Sequence, residues 1–327
     1  MDELSRRRFL ESAGTFAGAS LIRPPGAGAR QAADRVAAIT LAGADYVRFL
    51  PLAAGDVLLK GATLTWLRGD RSEMLRRALS DSTVDGGEGS MAQHLLRIDR
   101  GDRSMVAVPV FLLRNFTARD IYTLKGSSLT PAGLNGRRIG IYNWAASGAI
   151  WYRHLVRYFK QDPAAVKWVV GGPDLATPVN VGVPLPANVT LAPSGKSLSD
   201  LLLAREIDAF FAPLPPKQFH LVDGPIVRLV PDFRSVEKRY FTETRCYPPQ
   251  HVLLLRRQTW EKNPSIGERL VETFQQCETR FHRSQRLYPY STPWLSAEIE
   301  ETELLMGQGF HAHGLEKNRR AVDVFCQ

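Results

Sequence analysis

Two arginines in this 327-residue chain, Arg48 and Arg114, sit where a guanidinium can grip a carboxylate through two parallel hydrogen bonds. Asp45, Glu88 and His251 are the groups that could carry a proton, the two acids only if burial brings a carboxyl pKa towards neutrality. Tyr46, Ser90 and Ser147 add hydroxyl groups, and Phe116 and Trp144 offer flat apolar walls for a ring. A cation to orient a carboxylate and an acid that can give up a proton are what a proton transfer beside a bound carboxylate requires. The same set serves equally a pocket that binds a carboxylate without reacting.

Each of these residues also has a plainer role open to it. Ser147 is at a position where serine commonly caps a helix. Trp151, beside Ile150 in mid-helix, reads as core. Arg48 and Arg153 can be solvated, as most arginines are, and His251 can be a satisfied core histidine. His311 and His313 are two residues apart with no acid at metal spacing, so no metal site and no cofactor is expected.

Strands and helices must position this set. Short apolar runs alternate with longer amphipathic ones, which predicts an α/β protein. Strands are expected at 35–43, 62–67, 105–113, 166–170, 189–192, 207–212, 227–230 and 251–255, with a further one opening at Gly140. Helices are expected at 147–159, 198–205, 266–283 and 294–306. In open α/β sheets ligands sit beyond the carboxyl ends of strands. That rule selects Asp45, Tyr46 and Arg48 after the first strand and Arg114 at the end of the strand containing Pro109. Glu88 and Ser90 are read as opening a helix, and Ser147 as heading another. The expected organisation is a lobe of residues 30–124 and 224–327 and a second of 125–223.

The first residues carry an address. Ser5-Arg6-Arg7-Arg8-Phe9-Leu10, a weakly apolar run to Ile22, and an Ala27-Gly28-Ala29 cleavage pattern have the order of a twin-arginine export signal spanning 1–29. The run is too short and too rich in Gly and Ala for a permanent span. The expected compartment is therefore the periplasm or another extracytoplasmic space. The chain has 42 Lys and Arg against 33 Asp and Glu, a formal charge of +9. Its cations are scattered, without the basic stripe of a nucleic-acid reader, so small anionic ligands are the expected partners and nucleic acid is not. Three cysteines without a C-x-x-C argue against a zinc ribbon or a thioredoxin-like site. One disulfide and buried free thiols both remain open.

Several ordered motifs resemble one family. Val108-Pro-Val-Phe111 with Arg114 and Phe116, Leu134-Asn-Gly-Arg-Arg-Ile-Gly140, Ala149-Ile-Trp-Tyr-Arg153, Trp168 with Gly171-Gly172, Arg228-Leu-Val-Pro-Asp232, and Gly314-Leu-Glu-Lys-Asn-Arg319 are similar to the 4,5-dihydroxyphthalate decarboxylase-like proteins. The resemblance covers nearly all of the chain beyond the signal. It implies a two-lobed periplasmic-binding-protein-like fold (type II), with a ligand cleft between the lobes, shared with transporter solute-binding proteins. The chain departs from the family at Asp45–Phe49, Tyr142–Trp144 and Tyr247–Gln250. The resemblance admits two functions. Export favours a solute-binding protein that delivers a small anionic, aromatic carboxylate to membrane permease subunits and works as a monomer; the alternative is a carboxy-lyase of the dihydroxyphthalate type. Tyr46, Arg48, Ser90, Arg114, Phe116, Trp144 and Ser147 would hold the ligand in either case, and Asp45, Glu88 and His251 would act only in the enzyme.

Overall fold

The computed structural model describes residues 37–176, 179, 181–285 and 292–327. The export signal expected at 1–29, the first two residues of the strand expected at 35–43, and Pro178 of a proline-rich loop lie outside the described residues. Eleven strands are present among the described residues: β1 (Ala37–Ala44), β2 (Ala62–Gly69), β3 (Gly86–Ser90), β4 (Met105–Arg114), β5 (Ile121–Leu124), β6 (Arg138–Ile141), β7 (Lys167–Val170), β8 (Val189–Leu191), β9 (Ala209–Phe211), β10 (Ile226–Arg228) and β11 (Pro249–Arg256). They form two sheets accompanied by helices, the mixed α/β class that the alternation of patterns predicts.

The chain divides into two compact units, residues up to Leu113 with His251–Gln327, and Arg114–Gln250. The boundaries differ from those expected near 124 and 224. The reason is pairing: β5 and β10, both of which the expected boundaries assign to the first lobe, are antiparallel partners in the second sheet, where β5 also pairs with β9. Apolar content alone does not say which sheet a four-residue strand joins.

In the first unit the strand order is β2-β1-β3-β11-β4. β1 runs parallel to β2 and β3, and β11 returns antiparallel to β3. β4 is a near-continuous apolar run, as a strand covered on both faces should be. Its Pro109 is tolerated because β4 is the end strand of the sheet. The helix Ile266–Gln285 packs Leu270, Phe274 and Cys277 into the same core as Leu41, Val110 and Leu253. Those helix positions recur at turns of one face, which is the stripe an amphipathic helix buries.

The second unit has the order β10-β5-β9-β6-β7-β8. Its helix Ser147–Tyr158 buries Trp151, Tyr152, Leu155 and Val156. Trp151 donates its indole N–H to the Pro249 carbonyl at 2.7 Å and is 1% exposed, so the core role is the one it takes. Tyr152 stacks on Phe211 at 4.6 Å between ring centres and donates its hydroxyl to Asp120 at 3.1 Å. Cys246, Cys277 and Cys326 are all buried free thiols. The helices Arg71–Ser80, Phe233–Thr244 and Leu315–Phe325, like β3, have no counterpart among the elements expected from periodicity.

Candidate active site

The first unit gathers two of the candidate residues, Tyr46 and His251, around the carboxylate of a third, Glu88. Glu88 is fully buried in the middle of β3, whose sequence is Gly-Gly-Glu-Gly-Ser. The glycines let the neighbouring strands close in: a Cβ on Gly87 would lie 2.0 Å from the Ala42 carbonyl oxygen, and one on Gly86 2.1 Å from that of Leu254. No larger residue fits there. In the β3–β11 register His251 stands opposite Ser90, two residues along from Glu88. Side chains two apart share a face of the sheet, so His251 and Glu88 are diagonal neighbours on it.

The contacts follow from that placement. Glu88 Oε1 lies 2.5 Å from His251 Nδ1 and accepts the Tyr46 hydroxyl at 2.7 Å, while Oε2 accepts the Ala44 backbone N–H at 2.8 Å. Burial acts to raise the Glu88 carboxyl, but the hydrogen bond and charge of His251, with the Tyr46 and Ala44 donors, outweigh it and hold the group below the usual carboxylate range. Glu88 is therefore an anion that fixes a proton on His251 Nδ1. The Tyr46 hydroxyl is pushed well above its ordinary pKa, first by burial and then by the Glu88 charge, so it remains a donor. His251 lies nearer the surface than Glu88, its side chain 12% exposed against 0%. Nδ1 is taken, and Nε2 is the nitrogen that can exchange a proton with another molecule.

Arg48 is tied into the same unit rather than held ready for a ligand. Its Nε is 2.9 Å from Glu278 Oε1, it donates to the Leu112 carbonyl, and its guanidinium lies 4.8 Å from the ring centres of both Tyr46 and Phe49. Glu278 is itself 3.6 Å from His313 Nε2, and His313 Nδ1 accepts the Phe111 N–H at 3.2 Å. His313 is therefore a structural histidine. Arg48 braces Tyr46 from behind, and the carboxylate-gripping role expected of it is replaced by an internal ion pair. Glu278 had escaped notice, although its position beside Cys277 on a helix face that buries Leu270 and Phe274 marks it as a charged residue on an apolar stripe.

Asp45 does not fit the role of buried acid. Its side chain is 58% exposed and pairs with Arg68 at 2.9 Å. Glu88 and Ser90 do not open a helix together, because Glu88 belongs to β3; Ser90 alone caps the helix Met91–Asp99 by accepting the Gln93 N–H at 3.5 Å. The run of glycines hides the strand, since a period-two pattern needs side chains to display it.

The remaining candidates belong to the second unit. Arg114 is 7% exposed; it donates to the Tyr247 carbonyl at 3.3 Å and lies 5.6 Å from the centre of the Tyr247 ring. Phe116 packs on the same ring at 4.9 Å. Tyr247, missed as a site residue, is thus what joins these two, and only its place in a Pro-rich segment that departs from the family hinted at it. Trp144 lies under the Arg153 guanidinium at 4.2 Å and against Trp168 at 5.9 Å. Ser147 is buried as the first residue of its helix, and the cap position belongs to Ala146, so the capping role expected of Ser147 is not the one it has.

No family model matches the sequence. Among characterised proteins, the chain is 28% identical to the 4,5-dihydroxyphthalate decarboxylase of Comamonas testosteroni over 296 residues, covering 88% of this chain and 89% of that one. It is 30% identical to the 4,5-dihydroxyphthalate decarboxylase of Pseudomonas putida over 190 residues, covering 55% of this chain and 72% of the relative. Among solved structures, protein AF1704 of Archaeoglobus fulgidus aligns with a TM-score of 0.50 at 11% identity over 88% of this chain and 95% of that one. The periplasmic aliphatic sulphonate binding protein SsuA of Escherichia coli aligns with a TM-score of 0.47 at 14% identity, over 88% and 83% of the two chains. Sequence motifs and similarity along almost the whole described length agree, and the chain belongs to the 4,5-dihydroxyphthalate decarboxylase family.

Proposed function

We propose that the protein removes carbon dioxide from a hydroxylated aromatic dicarboxylate of the dihydroxyphthalate class, with His251 as the proton donor and Glu88 and Tyr46 holding it. The observation that carries this reading is the buried Glu88 carboxylate 2.5 Å from His251 Nδ1. A receptor that merely holds a carboxylate has no need of a second carboxylate orienting a histidine, whereas proton delivery to carbon does. The names of the two relatives support the same ordering. This reverses the preference for a receptor that export alone suggested.

The chemistry balances without an added oxidant or reductant. The hydroxyl para to the leaving carboxylate gives up its proton and feeds an electron pair into the ring. The ring carbon bearing the carboxylate takes a proton from His251 Nε2, and the ring loses aromaticity at that carbon. The carbon–carboxylate bond then breaks, its electron pair restores the aromatic ring, and carbon dioxide leaves. Proton return from solvent resets the imidazole and the phenol. Throughout, Glu88 holds the proton on Nδ1, which leaves Nε2 as the nitrogen that delivers its proton to the ring carbon.

The twin-arginine pattern at Arg6-Arg7 supports placing this activity outside the cytoplasm. Incubating the purified protein with 4,5-dihydroxyphthalate while following carbon dioxide and the catechol acid product tests the reading. Turnover that disappears in His251→Asn is the expected result. Tight binding of the diacid with no carbon dioxide would overturn it and restore the receptor, with permease subunits as its partners.

A further inference from the structure

The second unit contains a basic pocket that takes no part in the chemistry above. A cavity of about 320 Å³ is lined by the 124–129 turn, by Arg137 and Arg138 at the start of β6, and by the segment from Arg205 to Asp208 that leads into β9. Four cations, Lys125, Arg137, Arg138 and Arg205, face a single acid, Asp208. That acid is already committed: Asp208 Oδ2 accepts the Arg138 backbone N–H at 2.8 Å and lies 3.6 Å from Arg138 Nε. Glu206, the other acid close in sequence, is paired with Lys196 at 2.5 Å. Among the described residues Lys125 reaches only a backbone carbonyl, that of Val222 at 3.3 Å. Among the described residues the guanidinium groups of Arg137 and Arg205 meet no carboxylate. Like charges gathered without counter-charges repel one another, and a bound anion relieves that repulsion.

The helix Leu198–Leu203 ends at this pocket. Arg205 has a φ of 59°, in the left-handed region that residues other than glycine seldom enter. The conformation is held by its own N–H, which donates to the Leu202 carbonyl at 3.0 Å, and by its carbonyl, which accepts from Arg138 Nη2 at 2.9 Å. Opposite it, the turn supplies two hydroxyls, Ser127 and Ser128.

We propose that this pocket binds a polyvalent anion of the phosphate class. A planar carboxylate is matched by one guanidinium, whereas here the donors come from three separate chain segments and suit the tetrahedral oxygens and multiple charges of phosphate. The ligand can be a free oligophosphate or a phosphate carried on a lipid head group. Calorimetry of the purified protein with inorganic pyrophosphate, and co-sedimentation with phosphatidylglycerol vesicles, separate the two. The expected result is saturable binding to one of these probes that weakens with salt. In Arg137→Gln/Arg205→Gln, both side chains being exposed, binding should fall by about tenfold or more with the thermal midpoint unchanged. Arg137→Lys/Arg205→Lys, which keeps the charge, should recover part of it. Wild-type protein that binds neither probe at low salt, or a Gln variant that binds as tightly as wild type, would overturn the proposal. Decarboxylation plays no part in either readout, so this site and the catalytic reading stand or fall separately.

Discussion

Glu88→Gln is the substitution that bears hardest on the candidate site. The change keeps shape and removes the charge. A glutamine carbonyl oxygen in place of Oε1 can still accept from Tyr46 and His251, but both bonds then lose their charged acceptor. A bond to a charged group is worth about 1.5–3 kcal/mol against about 0.5–1.5 for a neutral one, so roughly 1 kcal/mol is lost at each. The glutamine NH2 then faces the Ala44 N–H, donor against donor, which leaves a buried donor unsatisfied at about 1–3 kcal/mol. Relief from burying a charge offsets part of this. The expected net loss is about 2–4 kcal/mol of unfolding free energy at neutral pH, read from urea titrations. Its pH dependence has a definite sign. Glu88 is held below its ordinary pKa in the folded protein, so its stabilisation is complete above the unfolded value of 4.5 and drains away as pH falls through the lower folded value. Glu88→Gln should remove that acid-side loss, so wild type and variant should converge in acid. Turnover should fall by about 10²–10⁴ at neutral pH, because an unanchored imidazole loses its fixed tautomer. A variant with unchanged stability, pH profile and turnover would refute the account of Glu88 as the anion that orders His251.

Arg48→Ala should cost about 3–5 kcal/mol of stability, since it leaves Glu278 as a buried charge stripped of its cation; a stable variant with specifically weakened diacid binding would return Arg48 to the ligand. His94 is buried, neither ring nitrogen has a hydrogen-bond partner among the described residues, and burial pushes its pKa down to about 4. Folding therefore opposes its protonation, stability drains away as pH falls from about 6.5 towards 4, and His94→Leu should flatten that slope in thermal melts at stepped pH. Trp151→Phe should lose about 2 kcal/mol through the indole bond to Pro249 and the space left behind, with diacid affinity unchanged when both are measured by calorimetry.

Legibility in the sequence followed side-chain pattern. Strands with apolar runs, such as β2, β4 and β11, announce themselves within a residue or two, and so does the helix that begins at Ser147. β3 does not, because Gly-Gly-Glu-Gly carries no period, and the residue it hides is Glu88. His251 and Glu88 could each be named as proton carriers, but their partnership depends on the β3–β11 register, which nothing local encodes. Arg48 shows the opposite error. A cation after a strand end fits a ligand-gripping role by position, and only the fold reveals Glu278 waiting for it. The unit boundaries differ from those expected for a related reason, since β5 and β10 are four- and three-residue strands whose allegiance is fixed by partners about a hundred residues away.

The chain's passage out of the first unit at Leu113 and back at His251 gives the protein an order of assembly. A chain emerging from the ribosome presents all of Arg114–Gln250 before any of β11, so the second unit can collapse on its own contacts while the first still lacks a strand between β3 and β4. Closing that gap joins segments 163 residues apart, a long loop whose entropic cost falls late. Until then Glu88 has no histidine to pair with. The Glu88–His251 pairing and the closure of the first sheet are one event, so a nascent or truncated chain that stops short of β11 carries neither a finished sheet nor that pair.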